Sequence, residues 1–240
     1  MNNKKILVVN DDGYDAIGIQ ILAKHLLKYG DIVVYAPATG QSAQSQAITC
    51  FQAINREEVF DYEYKCYKVY GKPADCVRLA TGLEDFDLVI SGINNGFNIG
   101  IDTLYSGTIG AACDANLHGI SSIAISAPRG RIADFEFLLD SVLEKCFEIG
   151  ESFGDEMYCL NVNLPREVNE VKGFKLTRVG YLTMIEYNDG FKPAKYNLDY
   201  NQGDLSIDYA AHMANYISIT PLTWDKTHNS HLNKLKNIFE

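Results

Sequence analysis

Basic residues are scarce in this chain: 21 Lys and Arg stand against 31 Asp and Glu, for a formal net charge of −10. So acidic a protein lacks the basic face of a general nucleic-acid binder, and no nucleic-acid polymer is expected among its partners. A phosphorylated substrate stays open, because a bound cation reverses the local sign. Paired cysteines are missing too. The six cysteines, at positions 50, 66, 76, 113, 146 and 159, contain no C-x-x-C, which removes the usual zinc frameworks. Most lie in apolar stretches and read as buried free thiols, so a reducing compartment is expected. No apolar run approaches the roughly 20 residues that cross a bilayer. The four-residue apolar run in "MNNKKILVVN" is too short for a signal peptide. Together these absences point to a cytoplasmic protein without membrane contact.

Other chemistries are excluded by missing motifs. There is no G-x-S-x-G and no defensible Cys–His pairing, which argues against Ser or Cys nucleophilic catalysis. The five histidines, 25, 118, 212, 228 and 231, are scattered without metal-ligand spacing. His25 and His118 fall in predicted helices and read as structural. No low-complexity tract or internal repeat interrupts the chain, so disorder is not expected. With 240 residues, 47% of them hydrophobic, the chain suits one large domain or one domain with an appendage.

What is present begins with pattern. "KKILVVN", "DIVVYAP", "FDLVISG", "ISSIAISAP" and "MYCLNVNLP" are short β-branched runs typical of strands buried on both faces. "GIQILAKHLLKYG" has apolar residues at helical spacing and a glycine stop at Gly30. "KPADCVRLATG", "TIGAACDANLHG" and "DFEFLLDSVLEKCFEIG" also read as helices, while "AITCFQAI" and "YKCYKVYG" read as a pair of extended segments. Strand–helix–strand repetition predicts a Rossmann-like, doubly wound, mostly parallel α/β sheet. From Lys172 the texture changes to β-rich and tyrosine-rich. The expected division is therefore a catalytic core over 1–170 and a C-terminal extension over 171–240. In that extension, residues 181–204 would form a projecting hairpin or long loop, with tyrosines for ring stacking or a subunit contact.

Ligands of open α/β sheets bind beyond the carboxyl ends of the strands. Four polar clusters fall at such ends: Asp11 and Asp12, Ser42, the asparagines Asn94, Asn95 and Asn98, and Ser106–Gly107–Thr108. A lone Asp there is usually a helix cap or an Asx-turn. Two adjacent carboxylates repel, and a hard divalent cation with oxygen ligands removes the repulsion. Asp, Ser and Asn oxygens suit Mg²⁺ or Mn²⁺. In "YSGTIGAA", Ser106 or Thr108 would cap a helix whose first N–H groups form an anion site. An ordinary cap is the plain alternative. In "SGINNGFNIG", Gly92, Gly96 and Gly100 match a dinucleotide fingerprint only loosely. There Asn94 reads as a metal ligand and Asn98 as a phosphate contact, or both as residues tolerant of left-handed turns.

These clusters, with "GKPADCVRLA", "LNVNLP" and "YISITPL" in the same order, resemble the SurE family of stationary-phase survival proteins over nearly the whole chain. The resemblance implies a metal-dependent phosphatase of nucleoside 5′- and 3′-monophosphates, with short polyphosphate a further candidate substrate. It implies one divalent ion per subunit held by Asp11, Asp12, Ser42 and Asn94. It places Asn98, Ser106, Gly107 and Thr108 at the phosphate, and it implies a homodimer or homotetramer. Asp11 and Asp12 are the expected catalytic residues, with Asp11 as the acceptor of the attacking water's proton. Three departures stand out: Ile17 where the family has Pro, "APAT" for "APDR", and Asn215 for Gly. The alternatives are a phosphatase of the haloacid-dehalogenase type, whose D-x-D-x-[TV] is not matched here, and a non-catalytic nucleotide-binding protein.

Overall fold

A computed structural model describes residues 4–181 and 203–239. The loop or hairpin expected at 181–204 lies, except at its ends, outside the described residues, and with it most of the tyrosine-rich stretch. The described chain forms one nine-stranded sheet in the order β3-β4-β2-β1-β5-β6-β7-β9-β8. The strands are β1 (Lys4–Val9), β2 (Gly30–Pro37), β3 (Arg56–Val59), β4 (Lys65–Val69), β5 (Leu88–Asn95), β6 (Ser122–Ala127), β7 (Cys159–Asn163), β8 (Phe174–Leu176) and β9 (Ile217–Leu222). Pairing is parallel from β4 through β7; β3 with β4 and β7 with β9 run antiparallel.

Period-two alternation inside continuous apolar runs puts helices on both faces. In β1, Ile6 and Val8 face one core and Leu7 and Val9 the other; β2 repeats this with Ile32, Val34 and Ala36 against Val33 and Tyr35. The first core is closed by α1 (Ile17–Leu26) and α4 (Leu139–Ser152), and the second by α2 (Pro73–Thr81) and α3 (Gly107–Leu117). Each fully buried Ile or Leu contributes roughly 1.5–3 kcal/mol over its exposed state.

Several boundaries differ from expectation. Helix α1 stops at Leu26, and Gly30 opens β2 instead of ending the helix. The segment 47–54 is not a strand: Phe51 adopts φ 63°, and Asp75 takes the Thr49 amide at 2.8 Å and its hydroxyl at 2.6 Å. On its outer side β4 pairs with the charged "REEV" of β3, at the sheet edge, where charge discourages further pairing. Strand β5 runs on to Asn95, with a register shift between Ser91 and Asn94 that carries both asparagines to the rim. A 3-10 turn, Ile132–Leu138, precedes α4, and the short helix α5 (Asp208–Met213) has no counterpart in the expected pattern. The chain ends in the amphipathic helix α6 (Asn229–Phe239).

The two histidines read as structural both contact carboxylates, His25 from within α1 and His118 from the C-terminal cap of α3. His25 pairs with Asp140 at 2.7 Å and Glu136 at 3.2 Å, and His118 faces buried Asp114 at 3.5 Å. Of the cysteines, 66, 76, 146 and 159 are buried, whereas Cys50 is exposed and Cys113 partly so. Asn215 takes φ 67°, the conformation a glycine would favour. Its side chain accepts from the Glu167 amide and donates to the Asn169 carbonyl, both at 2.8 Å, so the asparagine adds a loop tie there.

His212, on α5, lies with its ring 4.0 Å from that of Phe97, and its Nδ1 has no partner among the described residues. Burial pushes its pKa from 6.5 down to about 4, and nearby Arg166 adds to the depression. The unfolded chain therefore binds a proton that the folded chain refuses between those values. As pH falls from 6.5 toward about 4, this residue removes up to ~3 kcal/mol of stability. The variant His212→Leu is expected to lose less stability than the wild type across that window. Denaturant unfolding at several pH values checks this; parallel loss in both proteins would contradict it.

Candidate active site

The strand order reverses beside β1: β2 lies on one flank and β5 on the other. That reversal opens a crevice at the carboxyl ends of β1 and β5. Asp11 and Asp12 leave β1 directly into it. Their turn is held by Asn10, whose amide donates to the Gly13 carbonyl at 2.8 Å and accepts from the Gly13 amide at 3.2 Å.

Asp11 is 4% exposed and points at the N-terminus of α3. Thr108 Oγ1 donates to its Oδ1 at 2.6 Å. Gly107 lies so close that a Cβ there would meet the Asp11 Cβ at 2.9 Å and Oδ2 at 3.0 Å. Ser106 is the helix cap, accepting from the Ile109 amide at 3.1 Å, so of the two capping candidates the serine caps and the threonine is left for Asp11. Burial pushes the Asp11 carboxyl up to about 6; the Thr108 hydroxyl opposes the rise and repulsion from Asp12 adds to it. Asp12 is also raised by burial, against the Asn95 amide, which donates to its Oδ2 at 2.9 Å, and against the positive charge of Arg129.

The remaining positions are held in place by backbone and amide bonds. The loop after β2 is tied to the site where the Gln41 amide donates to the Asp11 carbonyl at 2.7 Å, which sets the adjacent, exposed Ser42 near it. Farther on, Ser45 donates its amide to the Tyr105 carbonyl and its hydroxyl to that of Leu104. Asn94 donates to the Gly96 carbonyl at 2.8 Å. Among the described residues, no hydrogen bond joins the Ser42 or Asn94 side chain to either carboxylate. Asn98 is 5% exposed and anchors its loop: its amide side chain donates to Ser126 Oγ at 2.8 Å, and its carbonyl accepts from Asn161 and Asn163. Gly92, Gly96 and Gly100 all have positive φ: Gly92 sits inside β5 at its register shift, Gly96 in a bend and Gly100 at the start of a 3-10 turn, so they serve separate backbone roles and form no dinucleotide fingerprint.

Among the described residues neither carboxylate forms an ion pair, and no cluster of three or more His, Cys, Asp or Glu could hold a metal. A donor set of two carboxylates, a hydroxyl and an amide oxygen fits a hard divalent cation and does not fit zinc. Asn10, Asn95 and Arg129 belong to this rim as well. Asn95 belongs to the asparagine cluster visible in the sequence, and Asn10 closes an Asx-type turn; Arg129 carries no local signal.

Fold and rim thus define an open α/β protein with an oxygen-rich anionic site at its switch point, facing a helix N-terminus. Residues 6–186 match the family model described as "Survival protein SurE". The chain is 37% identical to the 5′-nucleotidase SurE of Alkaliphilus metalliredigens, over 98% of both chains, and 36% identical to that of Legionella pneumophila, over 98% of this chain and 96% of the relative. The crystal structure of the SurE protein from Aquifex aeolicus superposes with a TM-score of 0.76 at 31% identity, covering 98% of this chain and all of that one. The chain belongs to the SurE family.

Proposed function

We propose that the protein hydrolyses nucleoside monophosphates to nucleoside and phosphate. The observation that carries this reading is Asp11, paired with Asp12 and held by Thr108 at the start of α3. Both halves of a phosphate site meet there: carboxylates for a cation and helix amides for an anion. The names of the full-length relatives as 5′-nucleotidases support it. Asp11, Asp12, Ser42 and Asn94 would hold one Mg²⁺ or Mn²⁺, which supplies Lewis acidity toward the phosphoryl group and water. Asp11, with Oδ1 fixed by Thr108, accepts the proton of the attacking water. The first amides of α3, with Ser106, Gly107 and Thr108, stabilise charge on the phosphoryl oxygens. Asn98, whose side-chain amide donates to Ser126 Oγ, is assigned to the same phosphate site.

The reading extends to assembly and division of labour. Residues 1–170 form the catalytic core, and 171–240 serve a homodimer or homotetramer, with Leu232, Leu235 and Ile238 exposed on α6 as apolar contacts. No helix among the described residues is long and apolar enough to cross a membrane.

The test is phosphate release from 5′- and 3′-nucleoside monophosphates and short polyphosphate, after EDTA and after restoring Mg²⁺ or Mn²⁺. Release only with metal is expected. No release under any condition would overturn the reading in favour of a nucleotide-binding protein.

A further inference from the structure

The rim is short of positive charge. Two carboxylates cancel one divalent cation, while a phosphomonoester brings close to two further negative charges. The α3 N-terminus offers only about half a charge. The loop 38–46 carries no charged side chain. Of the cations on neighbouring segments, Lys72 donates to the Ile48 carbonyl, and Arg131 is taken by Asp134 and Glu167.

Arg129 is different. It follows β6 on the turn Pro128–Arg129–Gly130, is exposed, and pairs with no carboxylate among the described residues. Its turn is bolted to the site by a two-bond relay. The Gly130 amide donates to Asn95 Oδ1 at 2.6 Å, and the Asn95 amide donates to Asp12 Oδ2 at 2.9 Å. Register supports the placement, since Asn95 pairs with Ala127, two residues before Arg129. A planar fork with five donors suits phosphoryl oxygens better than a single carboxylate already bonded to a backbone amide.

We propose that Arg129 is a substrate-binding residue of this site, its guanidinium taking the phosphoryl oxygens of the bound monophosphate. The inference rests on the nucleotidase reading for its substrate, but the contact with phosphate can be tested without turnover. Inorganic phosphate is titrated calorimetrically into the Mg²⁺-loaded protein, alongside Mg²⁺ into the metal-free protein and steady-state kinetics with a nucleoside monophosphate. Arg129→Met is expected to weaken phosphate binding by about 10- to 100-fold, as for loss of a charge-assisted hydrogen bond. The KM should rise similarly, with Mg²⁺ binding unchanged and Arg129→Lys partly restoring both. Wild-type phosphate affinity in Arg129→Met would overturn the assignment. So would a loss of Mg²⁺ binding in that variant, which would place Arg129 in support of the carboxylates. Arg129-dependent phosphate binding in a protein that cleaves no monophosphate would sustain the contact and overturn the nucleotidase reading.

Discussion

Replacing Asp12 with asparagine is expected to lower kcat/KM for a nucleoside monophosphate by about a thousand-fold and to leave the fold intact. The amide oxygen can still accept the Asn95 amide bond that now reaches Oδ2 at 2.9 Å, so the turn keeps its shape. What disappears is a full negative charge beside Asp11. The metal-free variant should be at least as heat-stable as the wild type, because repulsion from Asp12 is one of the causes that raise the Asp11 carboxyl. Steady-state kinetics and thermal unfolding in EDTA check both halves. An Asp12→Asn enzyme with near wild-type turnover would remove Asp12 from the metal site. A large loss of heat stability would make it a structural residue.

The second large effect is expected at Gly110, on the inner face of α3. A Cβ there would lie 2.1 Å from the Ser45 carbonyl oxygen and 2.6 Å from its carbon. Both atoms are backbone, so no side-chain rotation relieves the clash. Either α3, which carries Thr108, or the loop that carries Ser42 must move. In an exposed helix, Gly→Ala stabilises by roughly 1 kcal/mol; here overpacking of about 1–3 kcal/mol or more opposes it. We expect Gly110→Ala to lower Tm by about 5 °C and to weaken Mg²⁺ binding, since it separates segments that hold the site. A rise in Tm would show that the helix and loop are looser than this packing implies.

Much of the architecture could be read from the chain because both faces of the central strands are buried. Runs such as "ILVV" and "IVVYA" have few other places to go, and the carboxylates that follow the first of them arrive at the switch point by the topology of the sheet. The edges were harder. β3 is charged and half-exposed, so its signal is weaker than that of the neighbouring apolar segment 47–54, whose backbone Asp75 and the turn at Phe51 divert. Helix α5 has six residues, too few for a period to show. Arg129 is hidden for another reason. Its turn reaches Asn95, one of the rim asparagines, through the Gly130–Asn95 bond, which spans 35 residues and leaves no local pattern.

Everything proposed for catalysis depends on a divalent cation between Asp11 and Asp12, and anomalous diffraction from crystals grown with Mn²⁺ would locate it. A single strong anomalous peak is expected at the switch point, within coordination distance of both carboxylates and of Ser42 and Asn94. A peak elsewhere, with none between Asp11 and Asp12, would contradict it.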